Sequence, residues 1–558
     1  MRISAGGLIV RGMAAKAQLP PVTFQTHPDR YRHLKLVVDG PLAWIKFAIR
    51  EDGGLNPGYE LKMNSYDLGV DIELADAVQR LRFEHPEVAC VVISSEIERV
   101  FSSGANIFML ASSPHAFKVN FCKYTNETRL YIEDATAHSG QTYVAALNGV
   151  ASGGGYELPL ACEEIYLIDD RSSAVALPEV PYLGVLPGTG GLTRVVDKRK
   201  VRRDRADVFC TLAEGLKGKK AKQWGFVDDV FPTSSFWEQV EARARAIAGD
   251  GHPERKGITL GPIEPEVKDD GFDYRHVKLT FGPEDRTAHL TIEGPVGVGE
   301  LPADPSTLGE DWYALRMWRE LDDVLLRLRF NHPEIGLVVV HTKGALDEVL
   351  KLDAQLDARK DHWFVNEVLL HMRRVLKRYD YTAKSFFALI EQGSCYAGSL
   401  LELVLGADRA YMLEDDGVQV AVSTLEAGAL PMGNGLSRLE SRFLATPEQV
   451  GKVLGQTGPL GYEEADEAGL VTYTVDELDW DDEVRLAIEE RVSLSPDSLT
   501  GMEASLRFAG PETLETKIFG RLSAWQNWIF QRPNAVGAKG ALTLYGQPES
   551  AVFDFHRT

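Results

Sequence analysis

Apolar and polar positions follow two alternating patterns along the chain. In LRFEHPEVACVVI (Leu81–Ile93), helical periodicity ends at a His-Pro pair, and a valine-rich run follows. Proline stops a helix, and an unbroken apolar run is typical of a strand buried on both faces. The pattern returns as LRFNHPEIGLVVV (Leu328–Val340), with eight of 13 positions identical. Strands that alternate with helices predict a mostly parallel sheet in each half.

Two further segment pairs repeat in the same order. They are YELPLACEEIYLI (Tyr156–Ile168) with LELVLGADRAYML (Leu401–Leu413), and LPGTGGLTRV (Leu186–Val195) with LPMGNGLSRL (Leu430–Leu439). Three ordered pairs predict a tandem duplication of one α/β domain. A length of 558 residues suits two large domains, at roughly 100–200 residues per domain.

The stretch Ala248–Arg275 is rich in glycine, proline and charge, which is typical of a linker. We predict a flexible leader over 1–30, in which translation starts at either Met1 or Met13. A first domain follows over 31–262, and a second over 263–558 ends in a helical region.

Composition narrows the function classes. The formal net charge is −22, from 60 basic and 82 acidic residues, which disfavours nucleic acid or an anionic membrane as the main partner. The five cysteines have no CxxC spacing, so neither a disulfide framework nor a metal site is predicted. No apolar run approaches the ~18 residues of a membrane span. These observations predict a reducing, cytoplasmic setting.

The stretch NGVASGGGYELPLACEE carries the first candidate chemistry. Gly153–Gly155 follow a predicted strand and turn and open a helix that carries Glu157. Glycines at such a junction let backbone N–H groups approach an anionic ligand, or let the helix pack tightly against the sheet. A second junction of small residues, Ser102 to Ala105, follows the neighbouring strand. Two junctions at the same sheet edge can direct two N–H groups at one oxygen, as an oxyanion hole does.

FSSGANI, NGVASGGGYEL and LPEVPYLGVLPGTGGLTRV (Leu177–Val195), in this order, resemble the signature segments of the crotonase (enoyl-CoA hydratase/isomerase) superfamily. The resemblance covers about residues 35–250 strongly and 275–558 in degenerate form. It implies two crotonase-like spiral ββα folds, the second degenerate. It also implies an acyl-CoA thioester as substrate, with no metal or resident cofactor.

The resemblance assigns roles to single residues. The oxyanion donors fall on Ala105 and Gly154, and the acid/base carboxylates fall on Glu157 and Glu179. Two carboxylates in a partly dry pocket can hold different pKa values and divide acid and base work. The alternatives are a macrodipole-favoured helix residue for Glu157 and a solvated loop charge for Glu179. Cys122 is either a pocket thiol or an inert buried cysteine.

The coenzyme carries phosphates, and an acidic protein needs local positive charge to bind them. The resemblance places Lys62, Ser103 and Gly104 along the coenzyme. Arg199 lies in the basic segment RVVDKRKVRRDR, which is either a phosphate-binding patch or a solvated helix face.

Pro181 and Tyr182 make one active-site loop bulkier than a plain hydratase requires, and no GxGxxG follows a strand. Length and duplication resemble members that open the ring of 2,3-epoxy-2,3-dihydrobenzoyl-CoA. Those members consume two waters and release formate and 3,4-dehydroadipyl-CoA semialdehyde. The alternatives are an enoyl-CoA hydratase or other acyl-CoA lyase, and a non-catalytic acyl-CoA-binding scaffold.

The second half has AGSLLE where the first has SGGGYE, and it has no FSSGA segment after Val340. We therefore expect the second half to be structural. A fold that usually self-associates also predicts a homodimer.

Overall fold

The computed structural model describes residues 20–282 and 286–558. Met13 and most of the predicted leader lie outside the described residues. Phe24 is buried and packs on Tyr124 of the first half and on Phe330 of the second. The packed chain therefore begins ahead of residue 31.

A six-stranded sheet forms the centre of the first half. Its first two strands are antiparallel, and each later neighbour is parallel, because helices carry the chain back between strands. In spatial order the strands are Leu34–Asp39, Leu42–Phe47, Cys90–Ser95, Thr142–Leu147, Glu164–Asp169 and Asp229–Pro232. The α-helices of this half are Leu68–Phe83, Ile107–Ser112, His115–His138, Gly154–Glu157, Glu179–Leu183, Gly191–Thr193, Arg203–Thr211, Gly218–Gln223 and Phe236–Ala248.

A smaller sheet carries the two glycine junctions. Its strands, in spatial order, are Leu216–Lys217, Ala174–Ala176, Gly149–Ser152 and Arg99–Ser102. The sequence predicted a turn at Asn148 that leads directly into the glycine run. Instead, Gly149–Ser152 pairs as a strand first, and this places the run at the end of the smaller sheet.

An eight-stranded sheet forms the centre of the second half. From its third strand onward it repeats the first sheet's order, with one antiparallel pair and then four parallel pairings. The strands are Glu266–Lys268, Gly271–Asp273, Val277–Phe281, Thr287–Glu293, Leu337–Lys343, Ser385–Ile390, Arg409–Leu413 and Tyr473–Val475.

Long helices cover this second sheet, and short helices follow towards the carboxyl end. They are Tyr313–Phe330, Leu346–Ala358, Trp363–Tyr381, Gly398–Leu405, Arg438–Arg442, Glu448–Leu454, Tyr462–Glu467, Trp480–Ser493, Pro496–Leu506, Leu514–Lys517, Ser523–Ile529, Pro533–Val536 and Ala541–Leu544. Among the described residues, no helix combines the length and apolar character that crossing a membrane requires.

The two halves meet through helices that carry buried ion pairs. The arginine of each Leu-Arg-Phe repeat reaches a glutamate on the long helix of the other half. Arg82 Nε donates to Glu367 Oε2 at 2.8 Å, and Arg329 Nη1 donates to Glu127 Oε1 at 2.9 Å. Arg82 Nη2 also bonds Asp134 at 2.8 Å. A buried charge tolerates few alternative partners, so we infer that these pairs fix one docking of the halves.

Replacing Arg82 by methionine should destabilise the protein by about 3 kcal/mol, because Glu367 and Asp134 would lose a buried cationic partner. The midpoint of thermal unfolding measures the change. Arg202 is a matched control, since its side chain is 68% exposed and pairs with Asp204, which is itself 62% exposed. Arg202→Met should change stability by no more than about 0.5 kcal/mol. Equal effects of the two variants would contradict a fixing role for Arg82.

Candidate active site

Each glycine of the run makes room for a different neighbour. A Cβ on Gly153 would lie 2.8 Å from Glu179 Oε1, and one on Gly154 would lie 2.0 Å from the Tyr66 hydroxyl oxygen. On Gly155 it would lie 2.3 Å from the Ser102 carbonyl oxygen. Gly153 also has a φ of +57°, where side chains are strained. The glycines thus gather a carboxylate, a phenol and a strand of the smaller sheet around one point.

The second junction lies against the first. Gly104 has a φ of +88°, and a Cβ there would lie 2.8 Å from the Gly154 nitrogen. Ala105 follows Gly104 directly and pairs with Tyr66 in a short parallel ladder. Two small-residue junctions therefore meet at one place, as the sequence predicted from neighbouring strands.

Glu157 is almost fully buried and is held by hydrogen bonds. Its Oε1 accepts from the backbone nitrogens of Thr189 at 3.0 Å and Gly191 at 2.8 Å, and its Oε2 accepts from the Thr189 hydroxyl. Burial raises the pKa of this carboxyl, while these donors and the charge of Arg129 oppose the rise. The donors Thr189 and Gly191 lie in the LPGTGG motif, but the sequence pattern alone did not predict their hydrogen bonds to Glu157.

Glu179 shares the pocket in a different environment. It is 8% exposed, and its Oε2 has no hydrogen-bond partner among the described residues. Burial, and then the charge of Glu157, raises its pKa to about 7. One carboxylate is therefore anchored by donors, whereas the other is poised to exchange a proton near neutral pH.

Cys122 lies on helix His115–His138, where the sequence predicted a helix. Its side chain is half-buried. Burial, and then the charge of Glu157, raises the pKa of the thiol to about 11. Cys122 is thus close enough to feel the anchored carboxylate, and it is protonated at neutral pH.

The predicted coenzyme residues divide into two places. Lys62 and Ser103 are exposed beside Gly104, and the Ser103 hydroxyl donates to the Lys62 carbonyl at 3.4 Å. Arg199 instead donates to both oxygens of Asp228, at 2.9 and 3.1 Å, and to the Gly225 carbonyl at 3.1 Å.

The second half has a similar strand-to-helix junction at Gly398, but a side chain of the protein lies against it. Gly398 has a φ of +46° and bonds the Ala421 carbonyl, much as Gly153 bonds that of Ala176. The next backbone nitrogen, that of Ser399, donates to Asp353 Oδ2 at 2.6 Å. Asp353 is fully buried, so a carboxylate of the chain itself occupies this junction.

Glu402 stands at the position of Glu157, but an ion pair neutralises it. Its Oε2 accepts from Arg438 Nη1 at 2.8 Å, and Arg438 also bonds Asp380. The second half also buries Glu426, whose Oε1 has no hydrogen-bond partner among the described residues and whose pKa is raised by burial and then by the charge of Glu402. The ion pair of Glu402 with Arg438 is therefore what distinguishes this half from the first.

Two buried carboxyl groups with different partners beside a glycine junction form an arrangement suited to acid/base catalysis. Residues 60–254 match the enoyl-CoA hydratase/isomerase family. The chain is 52% identical to a benzoyl-CoA-dihydrodiol lyase from Aromatoleum evansii, over 98% of this chain and 100% of that protein. The chain therefore belongs to the enoyl-CoA hydratase/isomerase (crotonase) family.

Solved structures are similar to one part of the chain. An enoyl-CoA hydratase from Geobacillus kaustophilus is 33% identical, with a TM-score of 0.35, covering 39% of this chain and 75% of that one. One from Bacillus anthracis is 25% identical, with a TM-score of 0.33, covering 39% and 76%.

Glu179→Gln should stabilise the protein above neutral pH. The folded-state pKa of about 7 exceeds the ordinary 4.5, so the folded protein binds the proton more tightly than the unfolded chain. The contribution is full below pH 4.5 and is lost as pH rises through 7, by about 3 kcal/mol. Unfolding midpoints at pH 5 and pH 8 measure it, with a gain expected only at pH 8. The exposed Glu238→Gln is the control, and an equal gain at both pH values would contradict the assignment.

Proposed function

We infer that this protein is a benzoyl-CoA-dihydrodiol lyase that cleaves the ring of an aromatic-derived acyl-CoA. The identity of 52% across both halves carries this inference. The reaction converts 2,3-epoxy-2,3-dihydrobenzoyl-CoA and two waters to 3,4-dehydroadipyl-CoA semialdehyde and formate. Coenzyme A enters as part of the substrate, and no metal or redox cofactor is assigned.

The backbone N–H groups of Ala105 and Gly154 are the proposed oxyanion donors. They would hold the thioester oxygen as negative charge develops on it, which is worth roughly 2.7–4 kcal/mol per donor in acyl chemistry. The second half supports this role. Its Ser399 nitrogen, at the position of Gly154, already donates to a carboxylate oxygen at 2.6 Å.

Glu157 and Glu179 divide the proton transfers. The hydrogen bonds to Glu157 favour its ionised form, so it is the proposed base that activates water. Glu179 has a pKa of about 7 and an unpartnered oxygen, so it is the proposed acid that supplies a proton to the opening ring. Cys122 is proposed to line the acyl pocket as a protonated thiol.

Lys62, Ser103, Gly104 and Arg199 remain the proposed coenzyme-binding residues. The exposed Lys62 lies beside the oxyanion junction, which suits contact with the coenzyme. Arg199 could contact a phosphate only by sharing or leaving Asp228. The apparent KM of Lys62→Ala and Arg199→Ala variants tests both assignments.

The proposal includes a tandem duplication, a homodimer and a cytoplasmic location. The repeated strand order and the paired Leu-Arg-Phe arginines support duplication. Phe108, Tyr182 and Leu186 are 72%, 69% and 65% exposed, which suits an apolar contact between two copies. A solution mass of one chain by light scattering would refute the dimer.

Wild-type protein should release one formate per enzymatically generated epoxybenzoyl-CoA. Glu157→Gln and Glu179→Gln should each lose at least ~100-fold in turnover, because each removes one acid/base group. Glu402→Gln is the matched control, since it makes the same change at the second-half counterpart and should keep turnover. Cys122→Ala belongs in the same assay, and normal kinetics there would remove the thiol from the mechanism.

The alternatives predict different results in that experiment. Hydration of crotonyl-CoA without formate would indicate an enoyl-CoA hydratase. Tight thioester binding without any turnover would indicate a scaffold.

The pH dependence of turnover separates the two glutamates. If Glu179 is the acid, its protonated form is active, so kcat/KM should fall as pH rises through about 7. Steady-state formate release from pH 5.5 to 9 measures this limb. The limb should disappear from the residual activity of Glu179→Gln. A rise through pH 7 in the wild type would reverse the roles of Glu157 and Glu179.

A further inference from the structure

Tyr66 is a buried phenol in the centre of the site that the proposed mechanism leaves unused. Its side chain is 3% exposed, and its hydroxyl makes no hydrogen bond of good geometry among the described residues, although the Thr189 hydroxyl lies near enough to lower its pKa. The hydroxyl oxygen lies 2.0 Å from where a Cβ of Gly154 would stand. Its neighbour Thr189 already donates its hydroxyl to Glu157. An unpartnered buried hydroxyl is costly, so its position calls for an explanation.

The surroundings hold the Tyr66 ring in place. The backbone of Tyr66 pairs with Ala105, and its ring packs near Phe121, with centroids 6.1 Å apart. The Arg129 guanidinium lies 5.4 Å from the ring centroid, and a buried ion pair with Asp71 fixes that guanidinium. The hydroxyl therefore points at the glycine run from a rigid support.

The second half has a tyrosine at the corresponding position, and the hydroxyl of that tyrosine has a hydrogen-bond partner within the protein. Tyr313 lies 247 residues after Tyr66, which is the spacing between the two Leu-Arg-Phe repeats. The Tyr313 hydroxyl donates to the Glu293 carbonyl at 2.7 Å. Tyr313 begins helix Tyr313–Phe330 and is half-buried, whereas Tyr66 lies in a short strand and is buried, so the same spacing gives the two hydroxyls different surroundings.

We propose that the Tyr66 hydroxyl donates a hydrogen bond to the oxygen on the substrate ring carbon next to the thioester-bearing carbon. This assignment rests on the proposed function. If Gly154 binds the thioester oxygen, the ring oxygen two carbons from the carbonyl carbon comes within reach of a hydroxyl beside Gly154. Tyr66 keeps its proton throughout and makes its strongest bond when the ring oxygen gains negative charge.

Burial raises the pKa of Tyr66 well above its usual range, and the charges of Asp71 and Glu157 add to the rise against that of Arg129. The phenol is therefore a donor at every working pH. It complements Glu157, which only accepts when ionised.

The first test uses binding alone. Wild-type protein should bind 2-hydroxybenzoyl-CoA about tenfold more tightly than benzoyl-CoA, because only the former places an oxygen beside Tyr66. Tyr66→Phe keeps the ring and should reduce this preference to less than about twofold. Tyr143→Phe is the matched control, since Tyr143 is also buried with an unpartnered hydroxyl but has Arg82 and Glu367 as charged neighbours. A preference that survives in Tyr66→Phe, or that is missing from wild type, would overturn the proposal.

The second test uses turnover. Tyr66→Phe should lower kcat for formate release by about 100-fold with a smaller change in KM, because the hydrogen bond strengthens in the transition state. Tyr143→Phe should keep kcat, and unfolding midpoints should report that both variants fold. If wild type releases no formate, the ring-cleavage assignment fails while the binding test still decides the role of Tyr66. If wild type and Tyr66→Phe release formate equally, only the role of Tyr66 fails.

Discussion

The arrangement of the candidate site depends on three glycines, Gly153–Gly155, whose missing side chains leave room for neighbouring groups. The run Gly153–Gly155 has a carboxylate, a phenol and a carbonyl within the radius that three Cβ atoms would need. Any larger residue at these positions would push one of them away. Protein interiors are close-packed and yield little to such displacement. The position of Glu179 in the carboxylate pair therefore depends on the absence of a Cβ atom at Gly153.

The two halves have central sheets of similar strand order but bury different charged groups. In the first half, Glu157 accepts three hydrogen bonds, whereas Glu179 has an oxygen without a partner among the described residues. The second half neutralises Glu402 with Arg438. Both halves keep buried polar atoms without a partner among the described residues, such as Glu179 Oε2 in the first and Glu426 Oε1 in the second. The cross-paired arginines Arg82 and Arg329 couple the two at a buried seam.

Sequence alone predicted the features that local pattern encodes. The paired Leu-Arg-Phe segments predicted matching helices and strands in the two halves. The two small-residue junctions predicted that Gly104 and Gly154 would meet, because neighbouring parallel strands end at one edge. Features created only by tertiary contact were missed. The donors from Thr189 and Gly191 to Glu157 join segments 32 and 34 residues apart. Nothing local distinguishes Arg199 bound to Asp228 from Arg199 free for a phosphate.

The correspondence between Tyr66 and Tyr313 is a feature that the sequence contains but that the sequence analysis did not identify. The alignment of these two tyrosines could be read from the same 247-residue spacing as the Leu-Arg-Phe pair. What that spacing does not reveal is which of the two hydroxyls is satisfied, since the answer depends on the Glu293 carbonyl in one half and on its lack of an equivalent partner in the other.

The Asp353 carboxylate at the second junction gives the molecule an internal reference state. The backbone nitrogen of Ser399 at this junction is already bonded to a side chain of the protein itself, whereas Gly154 at the first junction has no side chain in that place. A shift of the first junction on ligand binding can therefore be measured against a second junction whose backbone nitrogen is already bonded. The second junction can thus serve as an internal control for structural changes at the first junction.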